Sequence, residues 1–308
     1  MSGVMALHSC CLLVPLYRPS LSCAEALSLV ISHARGGLAA DLFLLHPPGL
    51  EPFVAHLQAW FAQLAPQAPG FRSLEWPATH FSSLEAYSAL MLSPELYAQL
   101  EAYTWMLMVQ PDALLLSDRW REWLCSEYSY VGAPFFEGLE RPSHPLRLLG
   151  GGNGGVSLRR IQACLGVLRK GGWLYPALRH KERICLPQER LRAEMRALRS
   201  WGLRLGRPAA IPIYEDLFWS FAAPALECSF KLPSAWESAR FAFEAEPSHL
   251  FQLTGELPMA CHAHERYDPN FWRVMFEANP ALIVPYATRA EALYRASATF
   301  ASAPVPCP

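Results

Sequence analysis

Two short apolar runs stopped by proline, each followed by a segment of helical spacing, constrain this chain most. "CLLVPLY" is broken at Pro15, and "DLFLLHPP" is closed by Pro47 and Pro48. Runs of that length between turn signals read as buried strands. "SCAEALSLVISHA", with Ser22 as its cap, and "EPFVAHLQAWFAQLA" place apolar residues at helical spacing. A β-α-β-α opening predicts a parallel sheet with crossover helices. The predicted class is α/β.

The same reading extends along the chain. "SSLEAYSALMLSPELYAQLEAY" predicts two helices broken at Pro94. "TWMLMVQPDALLLSD" reads as one apolar strand running into polar residues, and "SYVGAP" as a short strand and turn. "GGVSLRRIQACLGVLRK" predicts a turn, an extended piece and a helix from about Arg160. "ERLRAEMRALRSWGLRL" has an amphipathic helical pattern, and "PSAWESARFAFE" predicts a helix capped by Ser234. With 52% hydrophobic residues in 308, the chain can bury a large core. No repeat or linker divides it. One domain over 1–300 is expected, with "ASAPVPCP" (301–308) as a disordered tail.

Several classes are excluded. A net charge of −1 gives no electrostatic footprint for nucleic acid. Nine cysteines, an odd number without a CxxC pair, read as reduced thiols and not as a disulfide framework or zinc site. The N-terminus lacks the basic flank of a signal peptide, and no apolar run is long enough to span a bilayer. A cytoplasmic protein is expected.

Five stretches carry candidate chemistry. Asp112 in "MLMVQPDALLLSD" follows an apolar strand. It reads either as a turn acid or as a carboxylate at the sheet's ligand-binding edge that holds a divalent cation. In "LLGGGNGGVSLRR" five of the six residues from Gly150 to Gly155 are glycine, around Asn153. The run is neither a Walker loop nor a GxGxxG fingerprint. It reads as a loop tip or as a backbone that admits a ligand closely. Glu215 and Asp216 in "IYEDLFWS" point about 100° apart on a helix, so they are not a facing carboxylate pair. They stabilise the helix dipole, or one of them enters a cleft. His262 and His264 in "MACHAHERYDP" share a face if that stretch is a strand. Finally, Arg159 to Arg207 holds thirteen of the chain's 26 Lys and Arg against three acids. That segment is a solvated face or a contact for an anionic membrane surface.

In order, "VPLY", "FSSLEAYSALMLS", "MLMVQPDALLLSD", "YVGAPFF", "GGNGGVSLRR", "YEDLFWS" and "CHAHERYDPNFW" resemble glycosyltransferases of the GT-A fold. They are similar in particular to a broad family of uncharacterised glycosyltransferase-like proteins, many of them bacterial. The resemblance covers roughly residues 10 to 275 and implies a GT-A-like α/β fold, a Rossmann-type mixed, mostly parallel sheet flanked by helices. It implies a metal-dependent transfer of a sugar from a nucleotide-diphosphate donor, UDP-sugar by default, to a glycan, lipid-linked or other hydroxyl acceptor.

It also implies roles. "QPD" stands where the family has Asp-x-Asp, so Gln110 fills the first position and Asp112 keeps the metal-ligand position. His262 completes the metal site for Mn2+ or Mg2+, and nothing is carried over to His264. Gly152, Asn153, Gly154 and Gly155 line the donor sugar, while Pro15 and Tyr17 border the nucleotide base. Asp216 is the base of an inverting displacement, with Glu215 beside it. Trp219, Tyr267 and Trp272 are candidates for a sugar-stacking face or for the core. The setting implied is surface-polysaccharide synthesis in the cytoplasm, with the Arg-rich segment 159–207 touching the inner membrane face. Gln110 keeps an alternative open, a degenerate GT-A domain that binds nucleotide or glycan without transfer. A nucleotidyltransferase would carry a Gly-rich basic loop that residues 10 to 25 lack.

Overall fold

The computed structural model describes residues 9–36, 40–139, 141–171 and 214–300. The opening follows the predicted alternation: β1 (Cys10–Pro15), α1 (Cys23–Gly36), β2 (Ala40–His46), α2 (Glu51–Leu64) and β3 (Phe71–Glu75). Ser22 caps α1, its Oγ accepting from the Glu25 N–H at 3.2 Å while the Glu25 carboxylate accepts from the Ser22 N–H at 2.7 Å. α3 (Leu84–Met91) and α4 (Pro94–Gln99) are separate helices, capped by Ser83 and Ser93. Proline cannot continue α3 but suits the first turn of α4.

The stretch expected to be one strand is two, β4 (Trp105–Val109) and β5 (Ala113–Leu115). Between them Gln110-Pro111-Asp112-Ala113 forms a tight turn, the Ala113 N–H donating to the Gln110 carbonyl at 3.0 Å. Pro111 is preset for the second position of such a turn. β5 therefore leaves the main sheet.

β6 (Tyr130–Gly132), the hairpin strands β7 (Phe135–Phe136) and β8 (Leu148–Gly150), β9 (Val156–Arg160) and α5 (Ile161–Gly171) follow. The main sheet has six strands in the order β3-β2-β1-β4-β9-β6. β1 runs parallel to β2 and β4, and β2 to β3, while β9 is antiparallel to β4 and β6. This is the mixed, mostly parallel sheet that the sequence predicts. β1 alternates Cys10, Leu12 and Val14 into one apolar cluster and Cys11 and Leu13 into the other, as a sheet covered on both faces requires.

Segment 215–226 is helical and includes a π turn, Phe218–Ala222. α6 (Ala235–Phe241) begins with a capping box of Ser234 and Glu237 and runs directly into β10 (Ala242–Phe243). After α7 (Pro247–Thr254) comes β11 (Ala260–His262), then α8 (Pro269–Ala278) and α9 (Val284–Ser297). β10, β11 and β5 make a second sheet. Seven cysteines are described, and all are free. Among the described residues no helix is long and apolar enough to cross a membrane. The amphipathic stretch "ERLRAEMRALRSWGLRL", the bulk of the basic segment and the tail 301–308 lie outside the described residues.

Strand order reverses between β1 and β4, which opens a crevice at their carboxyl ends. The glycine run packs beside it. The Tyr130 hydroxyl donates to the Gly152 carbonyl at 2.9 Å, and the Asn153 N–H donates to the Ala133 carbonyl at 2.8 Å. A Cβ on Gly132 would overlap the Asn153 carbonyl, and one on Gly152 would come within 2.6 Å of the Gly132 nitrogen. Gly132→Ala is therefore expected to overpack β6 against the loop. A loss of roughly 1–3 kcal/mol, read as a fall in Tm of roughly 3–8 °C by calorimetry, is the expected outcome.

Candidate active site

A cavity of about 430 Å³ opens at the carboxyl end of β4, in the size range of a ligand site. Gln110, Asp112, Asn153, Gly154, Gly155, Glu215, Asp216 and His262 all line it. Eight of the sequence-predicted residues thus meet in one place, from positions more than 150 residues apart. Pro15 is buried at the end of β1, and Tyr17 is exposed with the Arg18 guanidinium over its ring; neither lines this cavity. Gly152 lies behind the wall, its N–H donating to Ser220 Oγ at 2.8 Å.

The two carboxylates of segment 215–226 diverge as helical geometry demands. Glu215 turns inward to Arg159, whose Nη2 lies 3.0 Å from Glu215 Oε1. Arg159 is fully buried. Its Nε donates to Ser157 Oγ at 2.9 Å, its Nη1 to the Tyr97 hydroxyl at 3.1 Å, and it sits over the Tyr130 ring. Asp216 faces the cavity half-buried, 3.4 Å from Asn153 Nδ2. Its burial, the negative charge of Glu215 and that of Glu244 push its carboxyl up to about 7, against hydrogen bonds from the Leu217 and Gly154 N–H groups.

His262 ends β11, where Ala263 takes a left-handed conformation (φ 48°) and turns the chain. That turn corrects the expectation of a paired His262 and His264 on one strand face. His264 leaves the strand and packs edge-on against Phe276. The His262 ring is held from both sides. Nδ1 lies 3.1 Å from Glu244 Oε1, and Nε2 lies 3.2 Å from Asp112 Oδ1 and 3.1 Å from Gln110 Oε1. Burial alone would lower its pKa, but the hydrogen bonds to Asp112 and Glu244 outweigh it and hold the imidazole at about 10. For Asp112, burial pushes the carboxyl up, but the hydrogen bond and charge of His262 outweigh that and place it below its ordinary value.

This donor set fits a divalent cation. Asp112 supplies a carboxylate, Gln110 an amide oxygen and His262, once a cation displaces its Nε2 proton, an imidazole nitrogen, all lining the cavity, and Glu244 backs Nδ1 as outer-shell carboxylates back ligating histidines. Among the described residues no cluster of three or more His, Cys, Asp or Glu side chains is set to hold a metal ion. Such a cation would rely on ligand oxygens to complete its shell, as Mg2+ commonly does with substrate phosphates.

The glycines read differently in three dimensions. A Cβ on Gly154 would overlap the Glu215 carboxylate, and one on Gly155 would overlap the His262 ring. The protein's own side chains use the room that glycine leaves. Asn153 is also engaged, its Oδ1 accepting from the Gly155 N–H at 2.7 Å while Nδ2 faces Asp216. Trp219 and Trp272 are buried in the core, whereas Tyr267 lines the cavity. The expected basic surface from Arg159 onward is corrected at its start. Arg159 is in the ion pair, and Arg160 packs over Trp105 and donates from Nε to the Tyr128 carbonyl at 3.2 Å.

Arg159, Glu244 and Tyr87, the last a further residue of the cavity lining, were not singled out by the sequence as site residues. Two adjacent arginines ending an apolar strand must face opposite sides, so one of them had to point inward. Glu244 follows a buried two-residue strand much as Asp112 follows β4 closely. Tyr87 carries no such signal.

Fold and site define a mixed α/β protein with a carboxylate-rich cavity at the topological switch of its main sheet. A family model described as a protein of unknown function (DUF5672) matches residues 70–262, and the chain belongs to that family. No curated protein matches the sequence. The fold is similar to that of a galactosyltransferase, LgtC, solved with donor and acceptor sugar analogs (12% identity, TM-score 0.46, 96% of this chain and 97% of that one). It is also similar to the WbbM bifunctional glycosyltransferase (7%, TM-score 0.43, 87% and 48%). A third is the mannosyltransferase PcManGT from Pyrobaculum calidifontis with GDP-Man and Mn2+ (12%, TM-score 0.35, 95% and 86%).

Two outcomes follow from this geometry. Arg159→Met leaves Glu215 buried without its partner and is expected to cost about 3–5 kcal/mol, while Arg159→Met with Glu215→Leu recovers most of that in denaturant titrations. Asp216 has a raised folded pKa, so its favourable contribution is full below pH about 4 and is lost as pH rises through about 7. Asp216→Asn should therefore have a higher Tm than the native chain at pH 8, by a margin that shrinks toward pH 5.

Proposed function

We propose that this protein is a metal-assisted glycosyltransferase that moves a sugar from a nucleotide-diphosphate donor, UDP-sugar by default, to a hydroxyl acceptor. Residues 1–300 act in this reading as one GT-A-like domain. The observation that carries it is the meeting in one cavity of Asp216, a carboxylate raised toward neutrality, with the Asp112–His262 donor pair. The order of motifs that resembles GT-A enzymes supports the same reading.

The chemistry divides among the chain's residues. Asp112 and His262, with Gln110 beside them, would hold a divalent cation, which would supply positive charge to offset the negative charge gained by the leaving diphosphate. Glu244 holds the His262 ring in orientation through Nδ1. Asp216 accepts the proton of the acceptor hydroxyl as its oxygen bonds to the anomeric carbon and the carbon–oxygen bond to diphosphate breaks. A base near neutrality is matched to work at physiological pH. The Leu217 N–H donates to Asp216 Oδ1 at 2.8 Å and Asn153 Nδ2 lies 3.4 Å from Oδ2, while Glu215 stays with Arg159 outside the chemistry. The glycine loop presents its backbone to the donor sugar. Pro15 and Tyr17 remain proposed for the base end of the nucleotide, beyond the cavity described. With Asp216 as the base of a direct attack by the acceptor hydroxyl, inversion is the preferred outcome. Contact of the 159–207 segment with a membrane surface is a separate proposal that the described residues leave to the stretch beyond Gly171.

The test is release of nucleotide diphosphate from a panel of UDP- and GDP-sugars, with and without Mn2+ and with a mixture of simple glycoside acceptors. Metal-dependent release is expected, reduced about 10²–10⁴-fold in Asp216→Asn and lost in Asp112→Ala. Below pH about 7 the rate should rise about tenfold per pH unit and then level. Donor binding with no release under any condition would mark a binding module and sink the transferase reading.

A further inference from the structure

The cavity has two unlike halves. One is polar and contiguous in the second sheet: Asp112 before β5, Glu244 after β10, His262 ending β11, and the turn that carries Glu265, in which the Arg266 and Tyr267 N–H groups donate to the Ala263 carbonyl. The other half is apolar and comes from elements that pack around the Asp216 turn. α3, which packs against Glu215–Leu217, contributes Leu84. The β7–β8 hairpin contributes Phe135 and Leu139, the Phe135 ring lying 5.9 Å from Phe221 of segment 215–226. Leu217 follows Asp216 directly. The base therefore sits between a polar wall and an apolar one.

Two features of the apolar wall are not explained by core packing. Leu84 is 55% exposed although it opens a helix at the cavity rim. Leu139 is half-buried in the left-handed region (φ 55°), where a branched side chain is strained and glycine would sit freely. Strain of this kind persists where the surroundings use it. Five carboxylates line the cavity, Asp112, Glu215, Asp216, Glu244 and Glu265, which disfavours an anionic group beside the base.

We infer that the acceptor carries its reacting hydroxyl beside an apolar body, an alkyl or aryl group within one sugar unit of the attacking oxygen, seated on Leu84, Phe135, Leu139 and Leu217. The inference rests on the transferase reading and adds the acceptor's chemical class. A neutral amphipathic glycoside satisfies both walls: its hydroxyl reaches Asp216 while its apolar group leaves water against leucine and phenylalanine.

Three probes test it: methyl β-glucoside, octyl β-glucoside below its micellar concentration and 4-nitrophenyl β-glucoside, each with the matching β-galactoside. Binding is followed by saturation-transfer NMR without donor, and diphosphate release is followed with donor and Mn2+. The octyl or nitrophenyl probe is expected to bind about tenfold more tightly than methyl, the gain from burying about two methylenes. Which of the two gains distinguishes an alkyl from an aryl group. Leu84→Asn and Leu139→Gly should cut that advantage to less than about threefold. Leu84 is exposed and glycine suits position 139, so both should keep the native Tm. Equal binding of all three probes, or an advantage unchanged in both variants, overturns the inference even where diphosphate release proceeds. Absence of release with every donor sinks the transferase reading instead, while the binding arm still decides whether the apolar seat exists.

Discussion

The buried pair of Arg159 and Glu215 is the interaction on which the site depends. It joins the end of β9 to the first turn of segment 215–226 across 56 residues of chain. A buried guanidinium is tolerable because its polar atoms are met: Ser157, Tyr97 and Glu215 accept from it, and Tyr130 offers its ring face. Such pairs are weak evidence for net stability, since desolvation offsets much of the attraction. Their use here is positional. With Glu215 pinned inward, helical geometry alone turns Asp216 about 100° away and into the cavity. The second consequence is electrostatic: Glu215, although paired, remains close enough to raise its neighbour's carboxyl.

The glycine run serves the same arrangement. Gly154 leaves room for the Glu215 carboxylate and Gly155 for the His262 ring, so one loop lets both side chains approach the sheet. Gln110 lies within this contact as well, its N–H donating to the Gly155 carbonyl at 2.8 Å. Asn153 then bridges the loop's own backbone and Asp216. A loop that looked permissive toward a ligand is first of all a loop against which protein side chains close. Asn153, Gly154 and Gly155 also line the cavity.

Much of the fold was legible because its signals are local. Apolar runs ended by proline gave β1 and β2, serine caps gave α1 and α6, and Pro94 separated α3 from α4. The reading failed where the deciding contact was distant. Continuous apolarity in "MLMVQPDALLLSD" hid a change of sheet, because β5 pairs with β11 and that partner lies about 150 residues on. The same blindness made Arg159 look like the start of a basic surface. Residue type alone cannot distinguish a solvated arginine from one that four buried side chains enclose. His264 was misplaced by one residue of backbone, since a positive φ at Ala263 is not announced by alanine. Eight residues of the cavity lining, by contrast, were picked out together by the order of their motifs along the chain, although single stretches stayed ambiguous and Pro15, Tyr17 and Gly152 lie outside that lining.

The turn at Gln110-Pro111-Asp112 explains why these residues converge at all. In an open α/β sheet, ligand groups gather where strand order reverses, here at the carboxyl ends of β1 and β4. A chain that simply left β4 there would place one carboxylate at the crevice. By turning tightly at Pro111 and re-entering a second sheet as β5, it brings β11 alongside, with His262 in register with Ala113. The Ala263 N–H donates back to the Asp112 carbonyl at 3.1 Å, closing that junction. β10 pairs with β11 in turn and delivers Glu244 behind the imidazole. The polar wall of the cavity is thus the edge of the small sheet, and the apolar wall comes from the helix and hairpin that pack over the large one. Asp216 sits where the two meet because Arg159, anchored in β9 of the large sheet, holds its neighbour there.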